Sequence, residues 1–587
     1  MIVNLDQDRH EIIGKIKAFQ TDHAEQLSDF NKFYKSYRVK PTKNRKENQS
    51  NTVLPELFVE IEALATAAHE MIFSDNSEAL FFDVVAQDED MEQRVEAHLS
   101  KSVLAKQIEL TETSKKMLPF LRMLCLQGTY PVSTPWVLSY KSYWDDTFRV
   151  RRPAFDCWDF QPFSILNFSF DDTVEELERA EWAAETMHVK RKAAMGMVKK
   201  GLWNESAVRK ALDSGIKRNI YDREQRQIAG YLDTADSTAG FTAHEYYGTL
   251  ESRDDDEIYR AVVTDDGEFL MEPEINPYAH GEKPWLVGQW FSLPGEPYGM
   301  GTGHINYRTQ SEINDRRNFI NDLLYSSLYS MWLKRVDSGI NLPGGKMRWS
   351  PHQIIEGDQI GEEFLRALRP DVSPLGPAIN LESNDIEKMR RNSGATSTLQ
   401  AVATGITATE SQQIQSEATR RIKAMIRSNL ASLLRKFLYR AHSLNLQFLD
   451  RPFTTSVKDA AGLQLFGQVT RQDLIIEPDI RMKLTTDLDF RPFKRREMIE
   501  LLDVFSRLEA GGQLGNRRIV PDPIIETLAD TYGMDPRKFF AKEGLMEMET
   551  QRMTQDPNLQ RKAMGEMVNG SEAAQVAAAQ AAQQMGL

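Results

Sequence analysis

The chain has 587 residues, enough for roughly two to four domains. With 41% hydrophobic and 27% charged residues it can build packed cores over most of that length. A formal net charge of −14 argues against a free-standing protein that grips DNA, which is ordinarily basic, and two cysteines, Cys125 and Cys157, are too few for a disulfide framework or a cysteine-only zinc site.

The first residues, MIVNLDQDRHEIIGKIKAF, lack the apolar run of a signal peptide, and no stretch reaches the ~18 to 20 apolar residues of a membrane span. An aqueous, intracellular setting is therefore expected, with inert thiols. Residues 1–37 read as one amphipathic helix, and KPTKNRKENQSN (40–51) as a polar, basic linker. Leu57, Ile61, Leu64, Ala68 and Ile72 recur at helical spacing behind Pro55, where a helix tolerates proline. A second helical region covers about 88–127 and ends near Gly128.

From 131 to 290 the pattern is mixed. WVLSY and FRVRR flank YKSYWDD as a hairpin, and IYRAVVTDDGEFLME places Asp-Asp-Gly between two alternating runs, a stronger hairpin signal. HVKRKAAMGMVKKG and NESAVRKALDSG read as short helices stopped by glycine. The acidic run 254–257 reads as a solvated turn.

GEPYGMGTGH (295–304) has the look of a phosphate loop, but the spacing is G-x-G-x-G, two prolines interrupt it, and no apolar strand comes after the next helix. Its glycines are expected to let the chain turn and approach a packed neighbour. GGKM at 344–347 lacks the spacing of a nucleotide-triphosphate loop, the ten histidines form no helical ligand pair, and no G-x-S-x-G occurs. No catalytic, metal or cofactor residue is assigned.

Two long helices are expected next. The first runs from about His304 to Arg335 with Ile313, Ile320, Leu324, Leu328 and Met331 as its apolar stripe. The second opens at Thr407 and Glu410 as a capping box and continues through Ile414, Ile422, Ile426, Leu430, Leu434, Phe437 and Ala441 to about 448, a rod of ~60 Å. Between them, 337–380 reads as a compact insertion with short strands, ESNDIEKMRRN as a short helix, and SGATSTLQAVATGIT as a small-residue loop. DLIIEPDIRMKLTTDLDF reads as strands, later segments as helices, and the Met/Gln/Ala-rich end as an assembly helix or a disordered tail. Arg316, Arg317, Lys334, Arg335, Lys388, Arg390 and Arg391 lie on or beside the helices, either as solvated and ion-paired faces or as points where passing phosphate is steered.

In the order and spacing of its elements, the chain from GEPYGMGTGHINYRTQSEINDRRNFINDLLYSSL onward resembles the portal (head-to-tail connector) proteins of tailed bacteriophages, the short-tailed type especially. Gly295, Glu296, Tyr298 and Gly299 match the family's turn; Gln310 and Asn314 match polar positions of its stem helix. The resemblance implies an α+β fold: wing 1–302, stem helix 303–335, clip 336–380, second stem helix 381–392, tunnel loop 393–406 (opening Ser393, Gly394, Ala395, Thr396, Ser397, Thr398), long wing helix 407–450, wing strands 451–495, helical crown 496–550 and tail 551–587. It implies a non-enzymatic homo-oligomeric ring, usually a dodecamer, at one capsid vertex of the virion, made in the host cytoplasm. Double-stranded DNA would pass through without sequence-specific binding. Partners would be the large terminase subunit, a tail adaptor or head-completion protein, and the major capsid and scaffolding proteins. Neither a membrane nor a cofactor is implied. Lys346, Arg348 and His352 are the expected clip contacts. The rival readings are a nucleotide-dependent enzyme using the glycine loop and an oligomeric scaffold unrelated to phage. Replacing Lys346 and Arg348 by alanine is expected to weaken capture of motor or adaptor at least about tenfold, measured by pull-down; unchanged capture removes both from the contact.

Overall fold

The computed structural model describes residues 5–41, 49–73, 81–85, 91–145, 148–231, 240–253, 256–328, 331–335, 354–357, 365–368, 371–393, 424–458, 464–475 and 478–482. The chain divides into a large unit, Met1–Thr455 with Gln468–Thr486, and a second, Ser456–Gly467 with Asp487–Leu587. Only the ends of two strands of the second unit are described, so the expected crown and tail, together with Gly394–Thr398, Lys346, Arg348, His352 and 407–423, lie outside the described residues. The class is mixed α and β, and no described helix is long and apolar enough to cross a membrane.

The N-terminal segment is two helices rather than one, α1 (Leu5–Asp22) and α2 (Ala24–Tyr37). The break is at His23, whose ring stacks on Phe19 at 4.3 Å and lies 3.3 Å from Asp172, a tertiary contact that the local pattern does not show. α3 (Glu56–Ile72) buries Leu57, Ile61, Leu64, Ala68 and Ile72 as their spacing predicts. After β1 (Phe82–Val85), the expected 88–127 helix is also two, α4 (Met91–Leu110) and α5 (Thr113–Gln127), divided at Glu112, a non-glycine residue at φ 51°. Gly128, at φ 81°, ends α5.

Strands then dominate. β2 (Thr129–Ser133) precedes β3 (Trp136–Asp145) and β4 (Phe148–Trp158), which pair as an antiparallel ribbon. The turn falls later than the sequence suggested, because YKSYWDD is largely strand. β5 (Gln161–Pro162), β6 (Phe168–Phe170) and β7 (Trp182–Lys190) lead to the helices α6 (Arg191–Lys199), α7 (Glu205–Ser214) and α8 (Ile220–Ile228). Asn204 caps α7 and Asn219 caps α8 through their side-chain oxygens. β8 (Gly240–Gly248), β9 (Tyr259–Thr264) and β10 (Phe269–Ile275) complete an antiparallel sheet of order β10-β9-β8-β7-β6, with Gly267 at φ 88° in the Asp-Asp-Gly turn. β11 (Trp285–Gln289) joins β2 and β5 in a three-stranded sheet.

The first long helix, α9 (Thr302–Leu328), is shorter than expected. Residues 331–335 are a strand, β12, which runs parallel to β13 (Ile354–Gly357) and antiparallel to β14 (Leu365–Leu368). Lys334 and Arg335 are therefore on the small sheet and not on the helix. α10 (Leu375–Ser393) begins before the expected 381 and packs on α9. The last long helix is described from residue 424: a π-turn at Ile426–Leu430 leads into α11 (Ala431–Phe448), which buries Leu433, Leu434, Phe437, Leu438 and Ala441. Its fully buried Asn445 exchanges side-chain hydrogen bonds of 2.6 and 2.8 Å with Gln107 of α4, and Trp158 of β4 donates to the same Gln107 at 2.6 Å. The last described strands are β15 (Phe453–Lys458), β16 (Gln464–Val469) and β17 (Asp479–Met482). Asp473 and Leu474, expected in a strand, lie in a 3₁₀ turn that Thr470 and Asp473 cap reciprocally.

The apolar stripe expected on α9 is only half present. Ile313 and Ile320 are buried, but Leu324 and Leu328 are 44% and 75% exposed, and Met331 is in β12. The buried face is polar instead. Asn306, Gln310, Asn314 and Asn318 stand one turn apart and are at most 5% exposed. Gln310, Asn314 and Asn318 bind the extended main chain before α3. Thr52 N–H donates to Asn318 Oδ1 at 2.6 Å and Leu54 N–H to Asn314 Oδ1 at 2.9 Å. Asn318 Nδ2 donates to Thr52 O and Gln310 Nε2 to Leu54 O, each at 3.0 Å. Gln310 Oε1 also accepts from Leu57 N–H at 2.9 Å, satisfying an amide that α3 leaves open at its own N-terminus, where Pro55 provides no side-chain cap. Removing an amide strands a buried main-chain group, at about 1–3 kcal/mol each. Asn314→Ala and Asn318→Ala are each expected to lower the unfolding free energy from denaturant titration by that amount, and Leu324→Ala on the same helix by less than about 0.5 kcal/mol; equal losses at all three positions would refute the ladder's role.

Candidate functional site

The glycine turn and the α9–α10 pair hold most of the residues singled out from the sequence. Gly295 supplies a positive φ of 81° at the start of the turn, and its N–H donates to Glu175 at 2.5 Å. Glu296 is exposed at the rim of a surface notch. Tyr298 is buried in an aromatic cluster, 5.4 Å from the Phe170 and His23 rings and 6.2 Å from Phe30; burial raises its phenol far above the ordinary value. Gly299 N–H donates to Thr129 Oγ1 at 2.7 Å.

The remaining glycines lie against the end of α5. A Cβ on Gly301 would sit 2.4 Å from Gly128 N, and one on Gly303 2.5 Å from Leu126 O. On the other side, a Cβ on Gly128 would meet Gly299 O at 2.3 Å. Main chain thus approaches main chain, which only glycine permits. The first turn of α9, where a phosphate would need open N–H groups, is filled by the end of α5, with Thr302 1% exposed. The turn acts as a packing device, as its spacing suggested.

His304 closes this contact. Its Nδ1 accepts from Gly301 N–H at 3.1 Å, and its ring packs on Phe33 at 4.8 Å. Burial lowers its pKa, which keeps the accepting nitrogen unprotonated.

The basic residues on the helix pair meet carboxylates. Arg316 pairs with Asp385 and Arg317 with Glu382, both joining α9 to α10. Arg390 pairs with Glu56 at 3.1 Å, joining α10 to α3. Arg391 pairs with Glu387 on its own helix and stays 72% exposed; Lys388 is exposed. Four of the expected phosphate-steering residues therefore carry partially neutralised charge within one chain, and three of them tie helices together. Lys334 and Arg335 stand on β12, in register with Glu356 and Gly357 of β13. Ser393 is the last residue of α10.

Sequence reading missed Asn306 and Asn318. Asn306 donates to Glu60 at 2.7 Å and to Met389 O at 2.9 Å, and accepts from Asn392 at 3.3 Å, so one side chain joins α3, α9 and α10. The available signal was the recurrence of Asn306, Gln310, Asn314, Asn318 and Asp322 every fourth residue. Among the described residues no group of three or more His, Cys, Asp or Glu side chains is placed to hold a metal. Both cysteines are buried, and burial pushes their thiols up, which makes them unreactive.

Compared with known proteins, the chain matches no protein-family model and no curated protein sequence. A histidine whose pKa folding depresses gives stability that is full above its unfolded value, about 6.5, and is lost as pH falls through the folded value. His304→Gln, which can still accept from Gly301, is expected to lose less stability than the parent chain between pH 7 and pH 5, read as the difference between their melting temperatures; parallel curves would refute the assignment.

Proposed function

We propose that this chain is the subunit of a portal-type ring, a channel for double-stranded DNA at one capsid vertex. The supporting observation is the run from α9 to α11. A 27-residue helix, about 40 Å long, leads to a small three-stranded sheet and returns along itself as α10. A segment rich in Ser, Gly, Ala and Thr comes next, and then the buried helix α11. In the GEPYG resemblance that order corresponds to stem, clip, stem, tunnel loop and wing helix. Carried onto these elements, the reading would assign β12 to the clip and the 19-residue α10 to the second stem helix.

Physical grounds point the same way. α9 and α10 are pinned by buried amides and ion pairs, so their hairpin is a stiff strut. Phe319, Tyr325 and Leu328 of α9 and Ile379 and Leu381 of α10 are at least half exposed, apolar area available to a neighbouring subunit. The net charge of −14, repeated around a channel, repels a polyanion and lets it slide. In this reading the protein acts without catalysis; the motor that drives packaging, the tail adaptor and the shell proteins are separate chains.

Electron microscopy of the purified chain, with mass from light scattering, tests the proposal. Rings with a central hole and a mass near twelve chains are expected; a compact monomer that binds nucleotide would favour the enzyme reading instead. Deleting 393–406 is expected to leave rings intact and to lower DNA packaging or retention by about tenfold or more; failure of the rings to form would refute a tunnel-loop role for that segment.

A further inference from the structure

Cations on the helices of the large unit commonly meet carboxylates. α5 carries three and no acid, and Lys115, Lys116 and Arg122 pair with Glu112, Asp159 and Glu62. On α7, Arg209 pairs with Glu205 and Lys210 with Glu268. α6 departs from this. Arg191, Lys192 and Lys199 on the helix and Lys200 at its end are exposed, and the helix carries no acid. None of these four side chains has an ion-pair or hydrogen-bond partner among the described residues. Lys190, just before α6, stands in register with Gly240, next to the segment 232–239 that contains Asp233 and Asp236, and is not counted with them.

The cations are laid out on one face. Ala194 is 0% exposed and packs with Phe241 and Ala243 of β8, which fixes the buried side of α6. Lys192, Gly196 and Lys199 recur at i, i+4 and i+7 on the side away from it. A lysine thus stands at either end, about 10 Å apart along the axis, with no side chain between. Nothing in the fold requires glycine at 196. Its φ is not left-handed, and a Cβ there would have no neighbour within 4 Å. Glycine inside a helix is less stable than alanine, so the bare centre disfavours the helix and leaves room for a ligand to come close to the main chain.

We propose that this face of α6 is a sequence-independent contact for the phosphate backbone of duplex DNA, with Lys192, Lys199 and Lys200 as point charges beside Gly196. A duplex carries one charge per about 1.7 Å of its axis, so it presents about six over the ~10 Å between the lysines. Lysine binds phosphate as a point charge, without the geometric demands of arginine. An acidic protein fits less well. Protein interfaces are depleted in lysine and enriched in aromatic side chains, and this face is lysine and glycine. Leu202, 51% exposed, lies past the end of the helix. The choice of DNA among polyanions rests on the channel reading above; the patch is a local exception to the repulsion that the net charge of −14 creates.

Full-length variants and a fluorescent duplex of random sequence test the site by anisotropy. Lys192→Ala with Lys199→Ala is expected to bind at least about tenfold more weakly at low salt, and its plot of log affinity against log salt to be shallower by about 2. Both side chains are exposed and unpaired, so the parental melting temperature is expected. Gly196→Leu, which fills the bare centre and removes no charge, is expected to bind at least about threefold more weakly and to melt no lower than the parent; should it melt lower, the lysine variant decides alone. Arg209→Ala with Lys210→Ala removes charges that are already paired and is expected to stay within about twofold of the parent. Parental affinity in the lysine variant, or an equal loss in the α7 variant, would overturn the site. Polyglutamate bound as tightly as the duplex, and released by the same lysine variant, would make the partner an acidic protein and overturn the DNA assignment. Light scattering is expected to show parental assembly in every variant; assembly lost together with DNA affinity would make the face a subunit contact and likewise overturn it. A parental chain that stays monomeric ends the channel reading, and duplex binding that depends on Lys192 and Lys199 still supports the site.

Discussion

A ladder of amides along one face of α9 holds the centre of this protein. Asparagine and glutamine are poor choices for a buried helix face, since each carries donors and acceptors that need partners. Here the partner is the extended main chain at 50–54 and the first turn of α3, which have the same requirement. Carboxamides one turn apart pair with its N–H and C=O groups much as an adjacent strand would. Neither partner can be buried alone. The helix therefore fixes the path of the chain into α3, and Gln310 sets where α3 begins.

Asn306 continues the ladder at the other end and brings in α10 through Met389 and Asn392. The ion pairs of Arg316, Arg317 and Arg390 then act on helices already in register. These pairs are partly buried, so what they add to stability is offset by desolvation; their larger effect is on which orientation is allowed. The glycine turn supplies the last constraint. With no Cβ at 299, 301 and 303, α9 starts in main-chain contact with the end of α5, and the strut becomes continuous with the apolar core.

The α9–α10 pair keeps apolar side chains exposed, Leu324, Tyr325 and Leu328 beyond the amide ladder among them. The surface of the large unit thus carries exposed apolar side chains on this helix pair and an acidic notch beside the 293–297 turn.

Some of this was legible in the sequence. Glycines marked the ends of α5, α6 and α7 because turn chemistry is local. The Asp-Asp-Gly hairpin and the apolar spacing of α3 were readable for the same reason. The glycine turn was recognisable as structure because its spacing and prolines did not suit a phosphate. Tertiary contacts decided the rest. His23 and Glu112 divide helices whose pattern runs on; His23 meets Asp172 far along the chain, and Glu112 takes a positive φ that the pattern does not announce. Leu324 and Leu328 continue an apolar period that the fold leaves unburied, while nothing in the fourfold spacing of Asn306, Gln310, Asn314 and Asn318 by itself marks a buried face. Only the extended segment more than 250 residues away makes that face the buried one, because the pairing of two polar surfaces is a property of their meeting and is not written in either alone.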